Sequence, residues 1–425
     1  MRKRLARFLK WAAIACGLLL AACLLASAGL TWITGRRLEA RLAALRAAGD
    51  PLTIADLAPT PVPPAEDAAV PLARVAAAQG AFQKELTALF PGRGVADLPL
   101  GPGEQAKLRA LFEAQPEIVP LLRDAASRPG YAPPFDAAAT TTEMLKRSFE
   151  LMSRHREASR ILQSRSALLV AEGLPDEALE LQIVALRLAR LPFREPTMSN
   201  YLVGIACTRV AAAGVNDVLQ SAPVSEAGRR ALDAELALLD DPALVRRAFK
   251  NERAYSLTSV NEMSANLFWL TGWMRNDLTA LMLDLFDDQI RKLDLPYAQA
   301  AATASATGRR WSPFGTLVDL LKPALASTRE ATERLRAATR SLRVLNAIQS
   351  RVPTEAEAPP PLDSLGLPRE ATVDPFTGRP LLVKKLPSGW LVYSVGKDLV
   401  DDGGDLEKDK DVGFGAPRED LPGRP

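Results

Sequence analysis

The chain has 425 residues, of which 53 are basic and 50 acidic, with one histidine and three cysteines. Acids and bases are interspersed beyond the N-terminus, which gives nucleic-acid binding no support. Cys16 and Cys23 fall inside an apolar run and leave Cys207 without a partner, which excludes a disulfide framework; a single histidine excludes histidine-rich zinc sites and argues against a Ser/His/Asp triad.

Residues 1–10, MRKRLARFLK, carry five basic side chains and no acid. Residues 11–34, WAAIACGLLLAACLLASAGLTWIT, carry no charge at all. The second stretch is long enough to cross a hydrocarbon core as one helix, and the basic first stretch keeps its own end cytoplasmic by the positive-inside bias. Trp11 and Trp32 stand near the two ends of the run, where indole rings favour the interface. The expectation is an uncleaved signal anchor in a bacterial inner membrane, with the bulk of the chain extracytoplasmic. Two cleaved forms compete: Leu20-Ala21-Ala22-Cys23 has the form of a lipobox, and Ala26-Ser27-Ala28 that of a signal-peptidase site.

Residues 35–65 read as a stalk. Leu38, Leu42 and Leu45 recur at helical spacing, and a proline-rich segment then breaks the helix into an extended linker. Residues 66–350 read as helix after helix, punctuated by proline and glycine. Leu145, Phe149 and Met152 form one apolar face there, and Leu232, Leu236 and Leu239 another; Ser225 and Asp241-Pro242 are helix starts. His155, between Arg154 and Arg156, reads as a solvated histidine on a helix surface. Residues 167–189 resemble a tetratricopeptide hairpin, with Gly173 at the turn and Ala178 and Ala185 where the paired helices approach. A helical-hairpin array and an irregular bundle both fit the body.

Residues 266–295 are the most apolar soluble stretch, but Arg275, Asp277, Asp284, Asp287 and Asp288 interrupt it too often for a bilayer core. It reads as a central buried helix with Trp269 and Trp273 in the core. A last long helix, about 327–349, presents Leu335, Ala338, Leu342 and Leu345 on one face, and residues 351–368 form a proline-rich connection.

In residues 369–417 the pattern changes to β-type runs at 381–384 and 390–395, joined by a turn at Pro387-Ser388-Gly389. Seven acids follow between Asp398 and Asp411, around Gly403-Gly404. A glycine-rich loop of aspartates and free carbonyls suits the six to eight oxygens of calcium, and suits a solvated acidic loop equally well. Asp374-Pro375-Phe376-Thr377-Gly378, Tyr393-Ser394-Val395-Gly396-Lys397-Asp398 and Asp411-Val412-Gly413 together resemble the C-terminal region of the type II secretion major pseudopilins. The resemblance implies a calcium loop in which Asp398 and Asp411 are ligands. It covers about 329–417; the loop is longer than the family's usual one, Phe376 stands in place of tryptophan, and no prepilin-type cleavage motif precedes the apolar run.

The expected fold is therefore mainly α: a transmembrane helix, a tetratricopeptide-like or irregular helical body, and a small C-terminal β-hairpin module, with residues 418–425 as a tail. The expected function is that of a membrane-anchored extracytoplasmic interaction or scaffold protein, with lipid around residues 11–34, a protein partner on the helical body and calcium in the terminal module. Two alternatives are an accessory component of a secretion or pilus-like system and an envelope hydrolase using Asp240, Asp241 or Glu252.

Overall fold

The computed structural model describes residues 2–90, 100–267, 272–303, 312, 314–351, 358–406 and 410–416. Thirteen helices are described: α1 (Arg2–Ala47), α2 (Ala69–Leu89), α3 (Pro102–Ala114), α4 (Ile118–Ser127), α5 (Thr141–Ala171), α6 (Pro175–Ala189), α7 (Met198–Ser221), α8 (Glu226–Leu239), α9 (Pro242–Leu267), α10 (Gly272–Lys292), α11 (Tyr297–Ala302), α12 (Gly315–Asp319) and α13 (Lys322–Arg351). A small antiparallel sheet follows, β1 (Leu382–Leu386), β2 (Gly389–Ser394) and β3 (Val412–Gly415), in that spatial order.

Helix α1 has two halves with different surroundings. None of its most apolar stretch is buried by protein, and Leu18, Leu19 and Leu25 stand about two-thirds exposed or more. Apolar side chains on every face without a protein partner are what a lipid-facing helix requires. From Thr31 onward one stripe, Thr31, Thr34, Gly35, Leu38, Arg41, Leu42 and Leu45, turns half-buried against the body, chiefly against α10. The spacing of three and four residues puts these side chains on one face of the helix.

Gly49 ends α1 with a left-handed φ of 73°, Gly49 N–H donating to Arg46 O and Asp50 N–H to Leu45 O. This Schellman turn is open to glycine because no Cβ clashes at positive φ. It delivers Asp50 to the body, where its carboxylate accepts from Lys250 Nζ at 2.6 Å and Arg253 Nη2 at 2.5 Å. Arg253 also donates to Asp287 at 3.1 Å, and Arg41 on α1 reaches Asp284 at 2.8 Å and Asp287 at 3.0 Å. Two ion-pair groups, one on α1 at Arg41 and one just past its end at Asp50, thus meet one pair of antiparallel helices, α9 and α10. The segment after Gly49 is not the extended linker its prolines suggest: Leu52 and Ile54 are buried, and Ile54 N–H donates to Thr258 Oγ1 at 3.2 Å. The prolines stop the helix, but two apolar side chains between them find the core.

Helices α5 and α6 form an antiparallel hairpin around Gly173, with Ala178 and Ala185 buried as expected. Helix α7 packs against both and is largely buried; it is long and apolar enough to span a membrane, yet it is a core helix. Ser225 caps α8 through Gly228 N–H, Asp241 caps α9 through Ala243 N–H, and Leu232, Leu236 and Leu239 are buried. On α5 the inward stripe differs from the expected one. Phe149 is 56% exposed and Leu145 half-buried, while Met144, Ser148, Met152, His155 and Ser159 face in. The buried face lies one residue earlier than the apolar pattern indicates, because α5 buries polar groups that have partners. Nor does α10 hold an aromatic pair in the core: Trp273 is half-buried beside α1, and Trp269 lies outside the described residues.

Helix α13 lies between α7 and α8 on one side and the sheet on the other. Leu335, Ala338, Leu342 and Leu345 are buried as expected, and Arg329, Arg340 and Arg343 are buried too, with Arg336 half-buried, each with a partner. Arg229 on α8 donates to Asn346 Oδ1 at 3.1 Å, Arg343 to Asp233 at 2.7 Å, and Arg336 and Arg340 to Asp240 at 2.8 and 2.7 Å. The rungs descend one helix as they climb the other, as antiparallel packing demands. The sheet pairs Leu386 with Gly389 across a two-residue turn and continues into β3, where Gly413 and Gly415 bring the backbone against β2.

Asp50 is almost enclosed. Burial alone would raise its carboxyl, but hydrogen bonds and charge from Lys250 and Arg253 outweigh this and hold it below the ordinary value. A carboxyl depressed by folding stabilises above its unfolded pKa of about 3.9 and loses that contribution as pH falls through the lower folded value. Melting of the full-length protein in detergent should therefore show an acid limb below about pH 4 that Asp50→Asn flattens. Arg253→Ala, which leaves Asp50 to Lys250 alone, should lower stability by ~1–3 kcal/mol.

Candidate functional site

Three groups of chemistry-bearing residues are brought together by different elements among the described residues.

The first is the C-terminal acidic loop. Asp374 organises its base: Oδ1 accepts from Phe376 N–H and Ser394 Oγ, both at 2.8 Å, and Oδ2 from Val395 N–H at 3.3 Å. The DPFTG turn is thereby stitched to the end of β2, and Phe376, fully buried, meets Tyr297 edge-on with ring centroids 4.8 Å apart. Above it, Asp411 is buried, and its two oxygens accept from Gly404 N–H at 2.7 Å and Asp402 N–H at 3.5 Å. Gly404 stands at φ 82°, and a Cβ there would meet Leu391 Cδ2 at 2.4 Å. The loop thus closes over β2 only at glycine. Lys384 Nζ donates to Gly403 O at 2.9 Å, Tyr393 Oη to Asp401 at 3.1 Å, and Lys410 pairs with Asp405 at 2.5 Å.

The two expected ligands are not equivalent. Asp398 is exposed, and its Oδ1 accepts from Val400 N–H at 3.1 Å. Among the described residues no group of three or more His, Cys, Asp or Glu side chains is placed to hold a metal. Asp411 nonetheless has an unfavourable charge. Burial first, with Asp401 and Asp402 adding repulsion, pushes its carboxyl up to about 6 against the pull of two backbone N–H donors.

The second group was invisible in the sequence. Glu195, in the short turn before α7, accepts from Tyr131 Oη at 2.5 Å, lies 2.7 Å from His155 Nε2, and takes Asn200 Nδ2 at 2.5 Å. All four side chains are buried. His155 is therefore not solvated: its ring points into the body while Arg156, next on the helix, is exposed. The only sequence signal was its phase, i+3 from Met152 and four before Ser159. Tyr131 is pushed well above its ordinary value by burial and the Glu195 charge, so it stays a neutral donor. Nearby Cys207 hydrogen-bonds Ser159, and burial raises its thiol, which makes it a poor nucleophile. Glu195 and Asn200 edge a pocket of about 40 Å³, roofed by Pro133, Pro134 and Phe135. That is room for a few water molecules and no more. The group is a hydrogen-bonded knot joining α5, the turn before α7 and α7 itself.

The third group comprises the carboxylates considered for hydrolysis. Asp240 is taken up by Arg336 and Arg340, and Asp241 caps α9. Glu252 does not pair with Arg253; it accepts from Met198 N–H at 2.9 Å at the start of α7, and burial raises its carboxyl. The three do not converge on one pocket.

Two outcomes follow from these geometries. A carboxyl whose folded value is raised stabilises fully below its unfolded pKa and loses that contribution as pH rises through the folded one. Protection of the Asp402 and Gly404 amides, taken as exchange relative to the unfolded chain at the same pH, should accordingly fall from about pH 4 to about 6, and Asp411→Asn should abolish the fall. Glu195→Ala takes the acceptor from Asn200 Nδ2 and leaves Tyr131 Oη and His155 Nε2 only each other, 3.2 Å apart; it should cost about 1–3 kcal/mol in a urea melt, Glu195→Gln distinctly less. No protein-family model matches the chain, and no curated protein or solved structure matches it either.

Proposed function

We propose that the protein is a membrane-anchored scaffold of the bacterial envelope, whose helical body is held in a fixed attitude just outside the lipid and serves as a docking surface for another protein. One observation carries this reading: α1 is a single helix whose first half has no protein around its apolar faces and whose second half is bolted to the body by Arg41 and Asp50. A cleaved leader would have no reason to continue, unbroken, into a stripe of packed and ion-paired residues. The basic tail on the near side favours a cytoplasmic N-terminus and an extracytoplasmic body. The reading as a scaffold is supported by how the polar groups are used. Glu252 at the start of α7, Asp240 between Arg336 and Arg340, and Glu195 with the one histidine are occupied in capping, pairing and knotting elements together.

Calcium in the terminal module rests on the pseudopilin resemblance and on the raised carboxyl of Asp411, which a bound cation would relieve. Its test is separate. Millimolar calcium should raise the melting temperature of the full-length protein in detergent, and Asp398→Ala and Asp411→Ala should each remove the effect. No shift, or a shift indifferent to both variants, removes calcium from the proposal.

The anchor and orientation are tested together by expressing the whole chain in a bacterium. The protein should stay in the membrane pellet after alkaline carbonate washing, at its full length. A protease applied to spheroplasts should digest the body. Recovery in the soluble fraction with the N-terminus intact, or digestion only after the spheroplasts are lysed, would refute the assignment.

A further inference from the structure

The body touches α1 at a defined height. Helix α10 runs parallel to α1: Asn276 Nδ2 donates to Thr31 O at 3.2 Å and to Thr34 Oγ1 at 3.1 Å, and eight to eleven residues later Asp284 and Asp287 meet Arg41. A Cβ on Gly272 would lie 2.7 Å from Thr31 Cγ2, so the start of α10 is seated tightly on the last turns of the apolar run. Helix α9 returns antiparallel beside α10, with Arg253 opposite Asp287, which brings Met263 to the same end of the pair. The exposed uncharged part of α1 before Thr31, residues 11–30, is ~30 Å long at 1.5 Å per residue, the thickness of a hydrocarbon core of ~30 Å. A body that begins at Thr31 therefore begins in the headgroup layer, not above it.

The side chains at that height fit it. Trp32 is 62% exposed, with the Arg36 guanidinium 5.2 Å from its ring centroid. Arg36, Arg37 and Arg275 are exposed, Trp273 is half-buried and Met263 is 42% exposed. No acid occurs in residues 27–38 or 272–276, and the nearest on α9, Glu262, is engaged with the backbone and hydroxyl of Thr141. Indoles at the interface, and arginines beside them, are how proteins hold the headgroup region.

We infer that the body makes a second membrane contact of its own: the start of α10 and Met263 of α9 enter the interface beside the anchor, and Arg36, Arg37 and Arg275 bind the phosphates of anionic phospholipid headgroups. This rests on α1 being the anchor, and the experiment separates the two claims.

The full-length protein, with Cys16, Cys23 and Cys207 replaced by alanine, carries one environment-sensitive fluorophore at Met263→Cys, Leu20→Cys or Leu238→Cys. Each is placed in nanodiscs of phosphatidylcholine with or without phosphatidylglycerol, and circular dichroism checks the fold. Leu238, on α8, is 48% exposed and reports open solvent. The label at 263 should emit blue of the one at 238 and be quenched by lipids brominated near the headgroup more than by those brominated deep in the chain. The label at 20 should show the reverse order. Phosphatidylglycerol retained on the detergent-purified protein should be lost in the Arg36→Glu, Arg37→Glu, Arg275→Glu triple variant. If 263 behaves as 238 does while 20 is quenched deep, the second contact is overturned and the anchor stands. If 20 is unquenched as well, both fall. Undiminished phosphatidylglycerol in the triple variant overturns the headgroup assignment.

Discussion

The carboxylate of Asp50, enclosed between Lys250 and Arg253, is the constraint on which the relation between helix and body depends. A buried charge without its counter-charge is costly, so the chain leaving α1 cannot lift from the body without exposing Asp50 to water and leaving Arg253, itself 2% exposed, with Asp287 alone. Arg41 repeats the attachment two and a half turns earlier through Asp284 and Asp287. These pairs are directional, unlike the leucine stripe beside them, and together they fix both the height and the rotation of the body about α1.

The same economy of charge runs through the rest of the molecule. Helix α13 is strongly polar in composition, yet it is the central element joining body and sheet, because Arg336, Arg340 and Arg343 each find an aspartate on or beside α8. Glu235 answers Arg187 and Arg190 between α8 and α6 in the same manner. With Arg340 also donating to Val373 O at 2.7 Å, the C-terminal module is tied into the body and is not a bead on a proline-rich string. A bundle cemented by paired charges keeps its helices in a set register without needing a uniformly apolar interior.

What could be read in the sequence was whatever depends on one helix or one turn at a time. The long apolar N-terminal helix, the caps at Ser225 and Asp241, the hairpin at Gly173 and the inward face of α13 are local patterns, and the structure has them. The burial of His155 depends on Glu195, forty residues away, and that of Arg253 on Asp50 and Asp287; no local pattern announces such partners. Phe149 misled for the complementary reason. A periodicity rule places a phenylalanine inside, whereas α5 turns Ser148 and His155 inward, leaving the ring in solvent. Strand β3 escaped notice because it has four residues, two of them glycine, chosen to lie against β2 and not to fill a core. In the acidic loop the sequence marked out Asp398 and Asp411 alike, but only the fold shows that one is enclosed and the other open to solvent.

The absence of any break in α1 has a mechanical consequence. An apolar segment longer than the hydrocarbon layer is accommodated by leaning, and here there is no hinge between the leaning rod and the mass it carries. With α1 in a bilayer, as proposed, any change in leaflet thickness that alters the lean would swing the whole body through the same arc, like the blade of an oar moving with its shaft.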